Sequence, residues 1–412
     1  MSPVRLGARR MRGMSLIELM IALLIGLILL VGVIQVFSAS RASYQLSQGV
    51  ARNQENGRFA MDFLSRDLRM VGHAGCVNDQ SLLAQDAAGT VSGGNIRSLF
   101  LSGPDRNTNN VAALPFPLRF DLGVQGFEAN GTAPGDSLTL SATPAAGSAD
   151  SWTPALPDDL AGLHPVAGSD IVVVRYFSAE QAPLTALTLG ATSTLQYAAS
   201  DGAVATAGPG LYAIADCSSA TVFQAASAPS TTSMSVAVSG LNKSSFSYVS
   251  GNDGALSYKA GGTTLFRAET RAYYVALNPT TQVPALYRTR WTSVPGSDAI
   301  QATTEEMVEG VESLQLLYGE DAQSDVSLPP SGKITKVNSA ATIGDATHAA
   351  RWRRVGAVQM ALLVRDGNME KSRPLAASHL SLLQVTMTPP DDRRYRAVYE
   401  TTVAMRNRLF GD

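Results

Sequence analysis

Three residues near the amino terminus, Gly13, Met14 and Glu18, have the types and the spacing for one kind of chemistry: cutting the chain and then using the new end. A carboxylate inside an apolar segment costs a few kcal/mol in lipid even on lenient insertion scales, and it calls for a partner. Cleavage after Gly13 would supply one, because the α-amino group freed on Met14 is a cation four residues from Glu18. Offered by a neighbouring copy or relative, that ammonium neutralises Glu18 in the membrane and fixes the axial stagger of packed helices. Such chemistry serves assembly, not turnover.

Elsewhere the residues of catalysis do not gather. His73, His164, His348 and His379 fall in separate segments, and His73 lies three residues before Cys76, too few ligands for a metal. The chain has no Gly-x-Ser-x-Gly elbow and no phosphate loop. Asp105-Arg106-Asn107-Thr108-Asn109 is similar to the start of a calcium loop, yet Asn110 replaces the turn glycine and Phe116 the closing glutamate. Trp152, Trp291 and Trp352 read as core or interface aromatics. No catalytic residue, metal or cofactor is expected.

The two cysteines, Cys76 and Cys217, lie in the part expected outside the cytoplasm, where disulfides persist, and they are expected to pair. Two free buried thiols are the alternative. Net charge is −2; without the four leader arginines (Arg5, Arg9, Arg10, Arg12) it falls to 28 basic against 34 acidic residues, and no basic patch suggests nucleic acid.

The element that must position Glu18 is a membrane helix. Leu19 to Phe37 carries no charge and, at ~1.5 Å per residue, is roughly 28 Å long, enough to cross a bilayer core with help from its flanks. The basic leader holds the amino terminus in the cytoplasm and sends the rest across. Instead of a cleavage site, a polar helical pattern follows the apolar run, so the break falls before it, at Gly13. One helix is expected from about Ser15 to Val71, ended by Gly72. Phe59, Phe63, Leu64, Leu68 and Val71 form its packing stripe, and Arg58, Asp62, Arg66 and Asp67 its polar side.

Beyond the helix, low charge, 36 glycines and long Ala/Ser/Thr/Gly tracts suggest one β-rich domain. Gly75 to about Thr264 reads largely as surface loops with strand-like pieces at Asp136–Ser141, Ser169–Phe177 and Ser244–Val249. From Leu265 the alternation sharpens. Tyr273, Val275 and Leu277, a loop Asn278–Pro284, then Tyr287, Thr289 and Trp291 predict a hairpin. Thr304-Glu305-Glu306 followed by Met307, Val308 and Val311 predicts a short helix ended by Gly310. Leu314, Leu316 and Tyr318 predict a strand, Val355–Val364 a strand buried on both faces, and Tyr395–Met405 a half-exposed last strand. The fold class expected is α+β: a long amino-terminal helix on an antiparallel sheet with large loop insertions. Its parts are a leader 1–13, a helix 14–72 with 14–37 in the membrane, and a globular domain 73–412, in which 78–264 is loop-rich and 265–412 carries the sheet.

Gly13-Met14-Ser15-Leu16-Ile17-Glu18 resembles the prepilin signature of type IV pilins and type II secretion pseudopilins, with Met14 in place of the usual phenylalanine. The resemblance implies cleavage after Gly13 and N-methylation of Met14 by a prepilin peptidase. Asn56-Gly57-Arg58-Phe59-Ala60-Met61, Phe63-Leu64-Ser65-Arg66-Asp67-Leu68-Arg69, Gly75-Cys76, Gly310-Val311-Glu312-Ser313-Leu314-Gln315 and Met405-Arg406-Asn407-Arg408 resemble the PilW family of minor pilins, over roughly 1–77 and 265–412. That family is similar in turn to the J-type pseudopilins.

The resemblance implies a non-enzymatic subunit of a priming or tip complex that promotes pilus assembly, twitching motility and adhesion. Its implied partners are other minor pilins, the major pilin, a PilY-type adhesin and the inner-membrane assembly platform. A single span would hold it in the inner membrane with its domain in the periplasm, before it reaches the pilus tip. The alternatives are a J-type pseudopilin, separable by whether deletion abolishes pili or traps secreted enzymes, and a membrane-tethered periplasmic binding protein or hydrolase, whose domain would work on an unrelated anchor.

Overall fold

The computed structural model describes residues 14–77, 96–103, 105, 110–206, 210–217, 219–246, 258–326, 328–369, 379–392 and 394–409. A single helix, α1 (Leu16–Met70), opens the described chain. Ser15 caps it by accepting the Ile17 amide, and Gly72, at a φ of 78°, turns the chain out of it. Both ends lie within a residue or two of the sequence expectation. The leader, Gly13 included, lies outside the described residues.

The strands, in chain order, are β1 (Ile96–Ser98), β2 (Val124–Ala129), β3 (Ser137–Thr139), β4 (Trp152–Thr153), β5 (Ile171–Thr188), β6 (Thr192–Tyr197), β7 (Leu211–Ala215), β8 (Ala220–Gln224), β9 (Ser233–Ala237), β10 (Thr264–Leu277), β11 (Pro284–Thr292), β12 (Gln301–Glu309), β13 (Val311–Asp321), β14 (Ile334–Asn338), β15 (Val355–Met369), β16 (Leu380–Leu382), β17 (Val385–Thr388) and β18 (Arg394–Ala404). Among the described residues they form three sheets. The largest follows the order β1-β8-β7-β10-β5-β2-β4, with β11 and β12 continuing from β10, and β6 and β9 from β5. A four-stranded sheet, β14-β13-β15-β18, and a three-stranded one, β16-β17-β3, complete the set. Pairing is antiparallel except for β1 with β8 and β17 with β3. The architecture is α+β.

The four-stranded sheet is the middle layer of the part that carries α1. Along β15, Val358, Met360, Leu362 and Val364 pack toward α1, with Ala60, Leu64 and Leu68 from the helix. The alternate residues Ala361 and Leu363 pack against Leu382, Val385 and Met387 of the three-stranded sheet. Burial on both faces explains the continuous apolar run of β15. The same core takes Val172 and Val174 of β5 and Tyr273 and Val275 of β10, so α1 rests on both larger sheets.

Three expectations are corrected. The segment expected as a helix from Thr304 is strand β12. Its apolar residues suit a helical period, but cross-strand pairs to β11 outweigh it: Thr289 with Thr304 at 2.8 Å, Arg288 with Glu305 at 2.7 Å and Tyr287 with Glu306 at 2.8 Å. Gly310 does end the element, at a φ of 87°. On α1, Leu64, Leu68 and Val71 are buried as expected, but Phe59 is 47 % exposed and Asp67 is buried, the reverse of what was expected of those two. The packing face is selected by small residues, Gly49, Asn53, Gly57 and Ala60, which let the backbone approach the sheet, and it drifts past Phe59. The middle of the chain, expected largely as surface loops, contributes β1 to β9, of which only β3 and β5 fall on strand-like pieces expected there, and buried clusters of its own around Phe177, Phe223 and Trp152. Ser244–Phe246 is not a strand, and 247–249 lie outside the described residues.

The strands expected at Leu314–Tyr318, Val355–Val364 and Tyr395–Met405 are β13, β15 and β18. The hairpin of β10 and β11 pairs from Thr270–Trp291 to Leu277–Pro284. All three tryptophans are buried. Of the calcium-like stretch, Asp105 accepts from the Asn110 side chain at 2.7 Å, and 106–109 lie outside the described residues.

Candidate functional site

The first half of α1 touches nothing else in the chain. Every large apolar side chain from Leu16 to Phe37 is exposed, and no residue within that stretch other than Glu18 carries a charge. At ~1.5 Å per residue it forms an apolar rod roughly 33 Å long, the span of a bilayer core. A surface of this kind is stable only in lipid or against other apolar helices. Met14 stands exposed at the start of the rod, and Glu18 stands on its first turn, one helical turn from the end a cut after Gly13 would create.

The second half of α1 is clamped to the sheets by polar contacts set into the apolar stripe. The buried Asn53 amide donates to the Val364 carbonyl at 2.8 Å, while Tyr399 donates to Asn53 Oδ1 at 2.8 Å. Asn56 donates to the Glu309 carbonyl at 3.1 Å. Gly57 lies under the Tyr399 ring, where a Cβ would sit 2.4 Å from Cε2.

Farther along, buried Asp67 accepts from Tyr273 at 2.7 Å, Tyr176 at 3.1 Å and Arg271 at 3.0 Å, tying α1 to β5 and β10. Burial, reinforced by the Asp67 carboxylate, pushes the Tyr176 and Tyr273 phenols well above their ordinary value, so both remain donors. Burial alone would lower Arg271; Tyr176, Asp67 and Glu269 outweigh it and hold the guanidinium charged.

The end of the helix is closed by the end of the described chain. Asn407 donates to the carbonyls of Arg69 and Val71 at 3.3 and 3.4 Å, two of the groups a helix terminus leaves open. The Arg408 stem lies where a side chain on Gly72 would go. Four residues beyond Gly72, Cys76 is bonded to Cys217, their Cα atoms 4.6 Å apart and 141 residues apart in sequence. The pair joins the helix exit to the turn between β7 and β8. His73 holds the helix exit to β5 and β10 through the Phe177 carbonyl at 2.8 Å and an edge contact to Phe266.

A polar junction joins the two larger sheets beneath α1. Ser169 and Asp170 run beside β13 as a short imitation of a strand: Leu314 donates to Ser169 Oγ at 3.0 Å, the Asp170 amide to the Leu314 carbonyl at 2.8 Å, and Leu316 to Asp170 Oδ2 at 2.8 Å. Asp170 Oδ1 accepts from Ala129 at 2.8 Å. Burial and the nearby Asp170 raise the Glu128 carboxyl, against donation from Ala340 and Ser339. Burial raises Asp170 as well, against the pull of the Ala129 and Leu316 amides. With both its oxygens accepting backbone N–H groups, Asp170 is the better site for the charge and Glu128 for the proton.

The structure brings together the segments that sequence left far apart. Asn56-Gly57, Asp67, Gly75-Cys76, Gly310-Val311 and Asn407-Arg408 all lie along the seam between α1 and the sheets. Asn53, Tyr399 and Arg271 were missed as seam residues; the signal for Asn53 was its spacing of four from Gly49 and Gly57. Glu18 and the cysteines stand at opposite ends of α1 and act separately.

Two family models match the chain. Residues 272–407 match the type IV pilus-assembly protein W family, PilW, and residues 8–34 match the prokaryotic N-terminal methylation motif. No curated protein and no solved structure matches it. The first match covers the end of β10 and all of β11 to β18, among them β15 and β18 that Asn53 ties to α1, and the second covers the segment around Gly13 and most of the exposed rod. The chain is therefore PilW-like over about a third of its length at the carboxy-terminal end, with a segment near its head that matches the N-terminal methylation motif.

Proposed function

We propose that this chain is a non-enzymatic minor pilin of the complex that primes pilus assembly and sits at the pilus tip. The observation that carries the reading is the division of α1: an exposed apolar rod from Leu16 to Phe37, then a half fixed rigidly to a large β domain. In this reading a prepilin peptidase cuts after Gly13 and methylates Met14, and Glu18 pairs with the amino terminus of an adjoining pilin. The rod crosses the inner membrane once with residues 73–412 in the periplasm. Subunits leave the membrane by packing rods side by side, which exchanges lipid contacts for helix contacts, and Glu18 sets the register because an unpaired carboxylate is costly there.

Among the described residues no group of three or more His, Cys, Asp or Glu side chains is placed to hold a metal ion. Its partners would be other minor pilins, the major pilin, the assembly platform and a PilY-type adhesin. The test is Glu18→Ala: the amino terminus, read by mass spectrometry, remains cut at Met14, whereas incorporation into sheared pili and twitching fall. Normal incorporation of the variant would overturn the reading.

A further inference from the structure

We propose that β12 is the docking edge for an extended basic segment of another subunit, which adds a strand beside it. The inference rests on the reading of the chain as an assembly subunit. β12 pairs with β11 along one side from Gln301 to Glu309, and among the described residues no strand lies along its other side. From Gln301 to Met307 that side presents alternating N–H and C=O groups over ~24 Å, at ~3.4 Å per residue. Gln301 to Glu306 are exposed throughout, so neither face of this stretch is covered. β1, β4, β9 and β14, also at sheet margins, are only two to five residues long, and α1 backs β18. A nine-residue strand with so little packing is held by its cross-strand pairs and is left open to another strand.

Charge selects the occupant. β12 carries Glu305, Glu306 and Glu309; Arg288 answers Glu305, while Glu306 accepts only from the neutral Asn278 and Tyr287. A second copy of the same edge would set carboxylate against carboxylate and is rejected, whereas lysine or arginine at alternate positions of a partner strand would meet them. Location favours a subunit of the same assembly. The Glu309 carbonyl is bonded to Asn56 of α1, so the edge lies beside the helix, where a pilin packing its own rod on this one brings its domain.

The test uses the purified full-length chain in detergent and a peptide of the length of β12 that alternates lysine and valine, with a glutamate-for-lysine peptide as control. Hydrogen exchange should show residues 301–309 protected roughly tenfold by the basic peptide and not by the acidic one. Glu305→Gln with Glu309→Gln, both exposed side chains, should weaken the peptide about threefold or more. Absence of protection at 301–309, or equal protection by both peptides, overturns the proposal.

In cells, Thr303→Pro should lower incorporation into pili with membrane levels and cleavage unchanged. If Glu18→Ala blocks incorporation and both Thr303→Pro and the double glutamine variant leave it normal, the docking edge is overturned while the assembly reading stands. If Glu18→Ala has no effect, the assembly reading falls, and the peptide measurement still decides the edge.

Discussion

Asn53 on α1 and Tyr399 on β18 are hydrogen-bonded at 2.8 Å, and the same asparagine reaches the Val364 carbonyl of β15, so one helix residue ties two neighbouring strands. Asn53→Ala removes both bonds and leaves a buried carbonyl and a half-buried phenol without this partner. A loss of about 2–3 kcal/mol is expected, read as a lower urea midpoint with an unchanged slope. A change below half a kcal/mol would mean the clamp carries little.

The neighbouring Gly57 tests the close approach itself. Because a Cβ there falls 2.4–2.6 Å from three atoms of the Tyr399 ring, Gly57→Ala forces the ring or the helix aside. Destabilisation of about 1–3 kcal/mol is expected from such overpacking. Adding Tyr399→Ala, which removes the obstructing ring, should make the double variant less unstable than the sum of the two single ones. Strict additivity would show that the ring is not what resists the methyl group.

Much of this seam was legible in sequence, and the illegible part has a physical cause. The extent of α1 was readable because Ser15 and Gly72 mark its ends and no proline interrupts it. Strands β10, β11, β13, β15 and β18 were readable because each alternates or is uniformly apolar. Of the packing face of α1, Leu64, Leu68 and Val71 were readable, but its continuation through Gly49, Asn53 and Gly57 was not, since small residues define it there, and a buried Asp67 looks in sequence like any surface carboxylate until Tyr176, Tyr273 and Arg271 arrive from more than 100 residues away. β12 was misread because its two apolar neighbours, Met307 and Val308, suit either period. Of the middle strands, β3 and the start of β5 showed as apolar pieces, and the others were hidden by Ala, Ser and Thr at positions that stay buried only because other strands cover them.

Asp67 separates charge from shape. Asp67→Asn keeps the volume and one acceptor oxygen, so one tyrosine still donates while the other must turn to accept from the new amide, and Arg271 is left without its anion at 3.0 Å on this side. Asp67→Ala removes the tyrosines' acceptor as well. The alanine variant is expected to lose about 3–5 kcal/mol, the usual cost of stripping one partner from a buried pair, and the asparagine variant less, because Glu269 still stands 3.4 Å from Arg271. Equal losses in thermal melts would place the whole effect in the charge pair with Arg271 and none in the phenol hydrogen bonds.

Closing a loop of 141 residues, the Cys76–Cys217 bond confines the unfolded chain. In the chain-entropy account such a bond contributes up to about 5 kcal/mol. Reductant should therefore lower the denaturation midpoint of the wild type and leave the Cys76→Ala/Cys217→Ala variant unmoved. A wild-type protein indifferent to reductant would show that contacts around Gly75, Ala215 and Phe266 hold the helix exit without the bond.

The junction between the sheets makes a prediction about pH. Glu128 has a carboxyl raised above its ordinary 4.5 by burial and by the nearby Asp170. A carboxyl of higher pKa in the folded than in the unfolded chain contributes stability that is fully present below pH 4.5 and is lost as pH rises through the folded value. The lowered carboxyls, Asp121 with Arg119 and Asp392 with Arg396, act in the opposite sense and only below the ordinary carboxylate range, so they do not mask the effect. Melting temperature of the full-length chain in detergent should therefore fall steadily as pH is raised from 5 towards neutrality and beyond. Glu128→Gln, which keeps the shape and cannot ionise, should flatten that slope and raise stability on the alkaline side. A slope unchanged by Glu128→Gln would show that the proton at this junction resides elsewhere, with Asp170 the next group to test by the same substitution of an amide for the acid.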